Sequence, residues 1–239
     1  MGDNSDGRVH HVPVGCCDAH RPVLRGRRSF QDRTGGQAFM LDTRIEVVTG
    51  RAASARLRDV AALRIAVFRH WPYLYDGDHD YEHGYLQAYA ASERSVFVLV
   101  LAGDRVVGAS TGLPLADDSA AFGAPFRDRG IDPGTVFYFG ESVLLSEYRG
   151  RGIGHVFFDR REAHARALGG FAMTAFAAVD RDPHDPRRPP GHRDNEAFWR
   201  GRGYERQSGM TMQLDWDELG VGPRTHSLTF WTRPMEPSG

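Results

Sequence analysis

The chain has no lysine: all 30 basic residues among its 239 are arginine. That bias reads most simply as codon usage and carries no function. Cysteine is almost absent too, with two residues side by side at Cys16 and Cys17. Neighbours in sequence are poorly placed to bridge each other, so no disulfide framework is implied and a reducing compartment is the default. Neither sign of charge dominates, the formal net charge being −1 at pH 7, so nothing global steers the chain to nucleic acid or an anionic membrane. No apolar run approaches membrane-spanning length, and the N-terminus lacks the apolar segment of a signal peptide. These absences lead us to expect a soluble protein of the cytoplasm with no nucleic-acid and no membrane partner.

What is present suits a globular core: 41% of the residues are hydrophobic, and the length fits one large domain or two small ones. Residues 1–40 hold neither a twofold nor a 3.6-residue period and are expected to be a disordered extension. His10, His11, Cys16, Cys17 and His20 fall there, but zinc sites want ligand pairs spaced by two to four residues and two adjacent pairs with one further histidine match that poorly; no metal is expected. Order is expected over 41–235, as a single domain, with 236–239 a tail.

Within that domain, "RIEVVTG" reads as a strand and "AASARLRDVAALRIAVFRHW" as a helix stopped by Pro72. "EHGYLQAYAAS" is a second, short helix. "SVFVLVLAGDRVVGASTGLPL" is a hairpin about Gly103-Asp104, whose order suits a type II′ turn. Residues 116–135 read as a polar connection and "TVFYFGESVLL" as the next strand. A helix ending at Gly169-Gly170 follows, then the strand "FAMTAFAAV", a long loop, the helical "NEAFWRGRGY" and two final strands. The order β-α-α-β-β-β-α-β-α-β-β predicts an α/β fold, a mixed central sheet flanked by helices on both faces.

The most informative stretch joins the fourth strand to its helix: Arg149-Gly150-Arg151-Gly152-Ile153-Gly154. Glycines there permit backbone conformations closed to other residues and let a ligand approach the main chain. A helix N-terminus presents free N–H groups and partial positive charge, and two arginines add charged donors; together they suit a pyrophosphate. A nucleotide P-loop would need Lys and Ser or Thr after its last glycine, where His155 and Val156 stand. A dinucleotide fingerprint lacks its third glycine, although Asp180 is placed for a ribose.

The pattern that fits is R-x-x-G-x-G, and in this position the chain resembles the GCN5-related N-acetyltransferase (GNAT) superfamily over roughly 41–235. The resemblance implies acetyl-CoA as acyl donor, without a metal. It implies that the backbone of Ser142, Val143 and Leu144 pairs with the pantetheine arm in a gap beside a splayed strand. The Arg149, Gly150, Arg151, Gly152, Ile153 and Gly154 segment would hold the pyrophosphate, and Asn195 would lie near the pantetheine, although it also suits a helix cap. Glu141, in an otherwise apolar strand, is the implied base, burial raising its pKa; Tyr138 is the nearest alternative. The family's usual tyrosine acid is replaced by Trp199, and Tyr204 or Tyr148 are unassigned substitutes. Activity would be N-acetyl transfer to a primary amine by direct attack in a ternary complex. The alternative is an acyl-CoA-binding module with little or no transfer. The first two helices and their connection would wall the acceptor, a small-molecule amine; the loop Asp180–Asp194 could cover it, and a homodimer stays open. The acidic segment "WPYLYDGDHDYEHGY" reads either as an amine site or, more simply, as a solvated loop.

Overall fold

The computed structural model describes residues 43–236, so the expected extension, its histidines and cysteines, and the last residues of the tail lie outside the described residues. Strands β1 (Thr43–Thr49), β2 (Val96–Ala102), β3 (Arg105–Pro114), β4 (Val136–Leu144), β5 (Met173–Val179), β6 (Glu205–Glu218) and β7 (Gly222–Pro234) form one sheet in the order β1-β2-β3-β4-β5-β7-β6. All neighbours are antiparallel except β4 and β5, which run parallel. Helices α1 (Leu57–Phe68), α2 (His79–Ala91) and α3 (Ala120–Arg127) cover one face, and α4 (Ile153–Leu168) and α5 (Glu196–Gly201) the other. This is the mixed, two-sided architecture read from the pattern.

The apolar runs explain the layering. β2, "VFVLVLA", is buried on both faces because alternate residues enter the two cores. Gly103 alone in the β2–β3 turn takes positive φ, 60°, as a type II′ turn requires. In β7, Leu228 and Phe230 enter one core and Trp231 the other. Helix α3 corrects the reading of 116–135 as a connection: Phe122 and Phe126, one helical turn apart, pack on Tyr138 and Phe230 with ring centroids 5.3 and 5.0 Å apart. Gly123 and Pro125 had masked that spacing.

One departure from regularity positions the site. β4 pairs with β5 only at Val136, Tyr138 and the residue between, and then the two strands part. On the other side β4 stays paired with β3, with a register slip between Ser110 and Gly112 that leaves Gly140 and Glu141 in a bulge.

Candidate active site

Past Tyr138, the edge of β4 that faces β5 has no strand beside it, while Ser142, Val143 and Leu144 still pair with Ser110, Ala109 and Gly108 of β3. A single turn, Ser146–Tyr148, carries the chain from this opened end to the glycine loop. Gly150 and Gly152 adopt φ of 74° and 81°, in the left-handed region that glycine tolerates and side chains resist. Gly154 instead lies buried inside the first turn of α4. No side chain caps α4 and no acid stands in its first turn, so its positive end is not neutralised locally. A Cβ built on Gly152 meets nothing within 4 Å, so the loop faces open space. Arg149 donates to the Leu144 carbonyl (3.3 Å) and Arg151 to that of Glu147 (2.8 Å), bracing the turn while keeping cationic charge at its rim. Thus residues 142–144 and 149–154 come together along one edge.

Two fully buried arginines grip the bulge from opposite faces. From α1, Arg64 donates through Nη1 to Glu141 Oε2 at 2.5 Å and through Nε to Glu82 Oε2 of α2. Its guanidinium carbon lies 4.5 Å from the Tyr85 ring centre and 5.0 Å from that of Phe68. From α4, Arg161 Nη1 donates to the carbonyls of Thr111 and Glu141, each at 3.2 Å, and Nη2 to Ser142 Oγ at 2.9 Å. Arg161 also lies over Phe139, 4.1 Å from its ring centre. One arginine therefore neutralises carboxylates and the other satisfies carbonyls that the bulge frees from the ladder. Burial pushes the Glu141 carboxyl above its ordinary pKa, outweighing the pull of Arg64. Burial also disfavours the charge on Arg64, but Glu141 and Glu82 together hold it firmly protonated.

The acidic segment runs from the α1–α2 connection into α2, and three of its four carboxylates make contacts within the fold. Asp76 pairs with Arg69 at 3.1 Å, Asp78 caps α2 by accepting from the Tyr81 N–H at 2.8 Å, and Glu82 lies in the buried triad. These contacts leave Asp76 in an exposed pair and put Glu82 in the core, so the segment is solvated only in part.

A cavity of about 460 Å³ opens at the C-terminal end of β5, the strand bounding the gap opposite β4. Trp71 and Tyr73 from the α1–α2 connection and the 180–195 loop wall it together, so the two segments read as flanking an acceptor do meet. Their link is Arg181, which sequence reasoning did not single out. It donates to Pro72 O (2.6 Å), Tyr73 O (2.9 Å) and the buried Glu218 (2.9 Å), tying loop, connection and β6 into one rim. Asn195 lines this cavity, away from the glycine loop's own residues; it sits at the N-cap of α5, but its side chain makes no capping bond. Trp199 also lines it, packed on Phe176 and Trp231 with an indole N–H that is buried and has no hydrogen-bond partner among the described residues. Tyr204 does not reach it: its hydroxyl is engaged by Thr174 (2.8 Å) and Glu162 (3.3 Å). Tyr148 is buried beneath Arg151. Neither Glu141 nor the glycine loop lines this cavity, so the expected residues fall into three neighbouring places along β4 and β5.

Among the described residues no helix is long and apolar enough to cross a membrane, and no group of three or more His, Cys, Asp or Glu could hold a metal ion. Residues 64–188 match the family described as the acetyltransferase (GNAT) family. Solved structures share the fold at low identity. A ribosomal-protein-alanine N-acetyltransferase from Brucella melitensis is 15% identical (TM-score 0.51), covering 80% of this chain and 99% of that one. An N-acetyltransferase from Staphylococcus aureus Mu50 is 11% identical (TM-score 0.51), with 81% and 99% covered. The protein yncA of Salmonella typhimurium, solved with its cofactor acetyl-CoA, is 13% identical (TM-score 0.51), with 82% and 96% covered. No curated protein matches the sequence.

Proposed function

The chain belongs to the acetyltransferase (GNAT) family, and from that premise we propose that it is an acyl-CoA-dependent N-acyltransferase moving acetyl from acetyl-CoA to a primary amine. The observation that carries the proposal is the juxtaposition along β4. A strand edge loses its partner just before two left-handed glycines and an uncapped helix N-terminus. An extended amide-bearing arm ending in a pyrophosphate suits that sequence of features: the freed edge offers backbone donors and acceptors, and the loop offers N–H groups and positive charge. The residues that would hold it are Ser142, Val143 and Leu144 for the arm and Arg149, Gly150, Arg151, Gly152, Ile153 and Gly154 for the phosphates. Asn195 would contact the arm from the β5 side. Acetyl-CoA, when bound, supplies an acyl group activated as a thioester.

The chain's own residues supply the remainder. The amine must lose a proton to become nucleophilic, and Glu141, with its raised pKa, is the base we assign, reached through water. Arg64 and Glu82 set its environment: with two carboxylates on one guanidinium, the buried group can take up a proton without leaving Arg64 unpaired. The amine would enter by the cavity that Arg181 organises, against Trp71 and Tyr73. No side chain on α5 can donate a proton as a tyrosine would, since Trp199 keeps its N–H at neutral pH.

One feature favours the alternative of a binding module with little transfer: Glu141 is completely buried, with no side-chain surface exposed. Thermal unfolding with acetyl-CoA, CoA and NAD, each titrated alone, tests the binding. Ligand at a hundredfold over its Kd should add about 2.7 kcal/mol. Stabilisation by acetyl-CoA and CoA but not NAD, followed by thiol release with an amine panel, supports the transferase. Stabilisation without thiol release for any amine supports the binding module, and stabilisation by NAD alone defeats both.

A further inference from the structure

The transferase reading leaves unused a second cavity, of about 590 Å³, which lies between α2 and the turn after β3 and shares no lining residue with the first. We propose that this cavity is a binding site for a small organic ammonium ion with an apolar body, separate from the site along β4 and β5. Its wall is one face of α2, where Tyr81, Tyr85 and Tyr89 recur every fourth residue. Leu113 closes the opposite side, and Gly84 leaves room, since a Cβ there would meet nothing within 4 Å. Aromatic faces and a compartment of this volume suit a small ligand, and the ring quadrupole favours a cation.

The charge at the cavity's end makes the choice of cation specific. Asp118 accepts from Tyr89 Oη at 3.0 Å and from the Ser119 N–H at 2.7 Å. Among the described residues no arginine or histidine pairs with it, whereas its neighbour Asp117 is paired with Arg94 at 2.5 Å. A largely desolvated carboxylate with hydrogen bonds but no counter-ion is costly unless a cation arrives. Burial accordingly raises the Asp118 pKa to about 6, against the lowering by its two hydrogen bonds. The other titratable groups that face it are Asp80, Tyr81, Tyr85 and Tyr89 of α2, Asp117 with Arg94, and Tyr138 of β4. The phenols among them are neutral throughout the accessible range, and the raised pKa of Asp118 lies inside the window from pH 5 to 8.

Calorimetric titration of the full chain with phenethylammonium chloride, without acyl donor, tests this at pH 8 and pH 5, with phenethyl alcohol as the neutral counterpart. We expect saturable binding of the ammonium at pH 8, about tenfold weaker at pH 5 and in Asp118→Asn, and no comparable binding of the alcohol. Gly84→Leu fills the cavity from a helical position that favours leucine, and should abolish binding while the fold persists. Trp71→Ala alters only the first cavity and should leave this binding unchanged. Equal affinity for wild type and both Asp118→Asn and Gly84→Leu, binding of the alcohol as strong as the ammonium, or loss only in Trp71→Ala would each overturn the proposal. None of these readings depends on acyl transfer, so failure here leaves the transferase reading standing, and the reverse holds too.

Discussion

The two halves of β4 are equally buried and have opposite surroundings. Phe137 and Tyr138 sit between β3 and β5, and Val136 pairs with β5. Phe139 to Leu144 keep β3 alone and open toward the glycine loop. The first half is a conventional sheet interior. The second survives without a neighbour because side chains replace the missing sheet: Arg64 holds the bulge through charge on one face, and Arg161 through carbonyls on the other. An opened strand is thus a feature stabilised from both faces, and the opening is where a ligand can take the place of a strand.

Removing these supports should break the comparison. Arg64→Met leaves Glu141 and Glu82 buried without a cation and should cost about 3–5 kcal/mol in denaturant unfolding. Adding Glu141→Gln and Glu82→Gln to it should recover part of that loss. Arg161→Leu should cost about 2–4 kcal/mol by the same assay, because the Thr111 and Glu141 carbonyls then lose a buried donor. Glu141→Gln alone still leaves Arg64 a partner in Glu82, so the fold should persist while turnover falls about a hundredfold. Its pH profile sharpens the point. Burial raises the Glu141 pKa, so wild-type activity should fall as pH drops through a value above the ordinary glutamate range, and the variant should lose that limb. Gly152→Val places a side chain in left-handed backbone and should cost about 1–2 kcal/mol of stability, with a larger loss in CoA affinity. Arg200→Ala breaks an exposed pair with Glu196 on α5 and should change stability by less than about 1 kcal/mol.

Much of this was legible in the sequence. Hydrophobic alternation and the glycines placed the strands, the hairpin and the helix after the loop, because those signals are local. What stayed hidden depends on three dimensions. Arg161 stands in "FFDRREAHARAL" among charged residues and reads as solvent-facing. Yet Phe157, Phe158, Arg161 and Ala165 share one helical stripe, and all are buried. Arg64 lies on the same kind of stripe with Leu57, Val60, Ala61 and Phe68. Those positions were the available signal, overridden by residue type. Glu82 reads as part of the acidic loop because nothing local distinguishes a buried carboxylate from an exposed one. The parting of β4 from β5 leaves no trace in either strand's own pattern, and only the resemblance implied it.

Amide hydrogen exchange with and without saturating CoA tests the central claim most directly, since it reads both halves of β4 at once. The account predicts added protection at Ser142, Val143 and Leu144 and at residues 151–154, with little change at Val136 to Tyr138, where the sheet already protects. Unchanged exchange at 142–144 in the presence of bound CoA, or protection confined to the paired half, would contradict it.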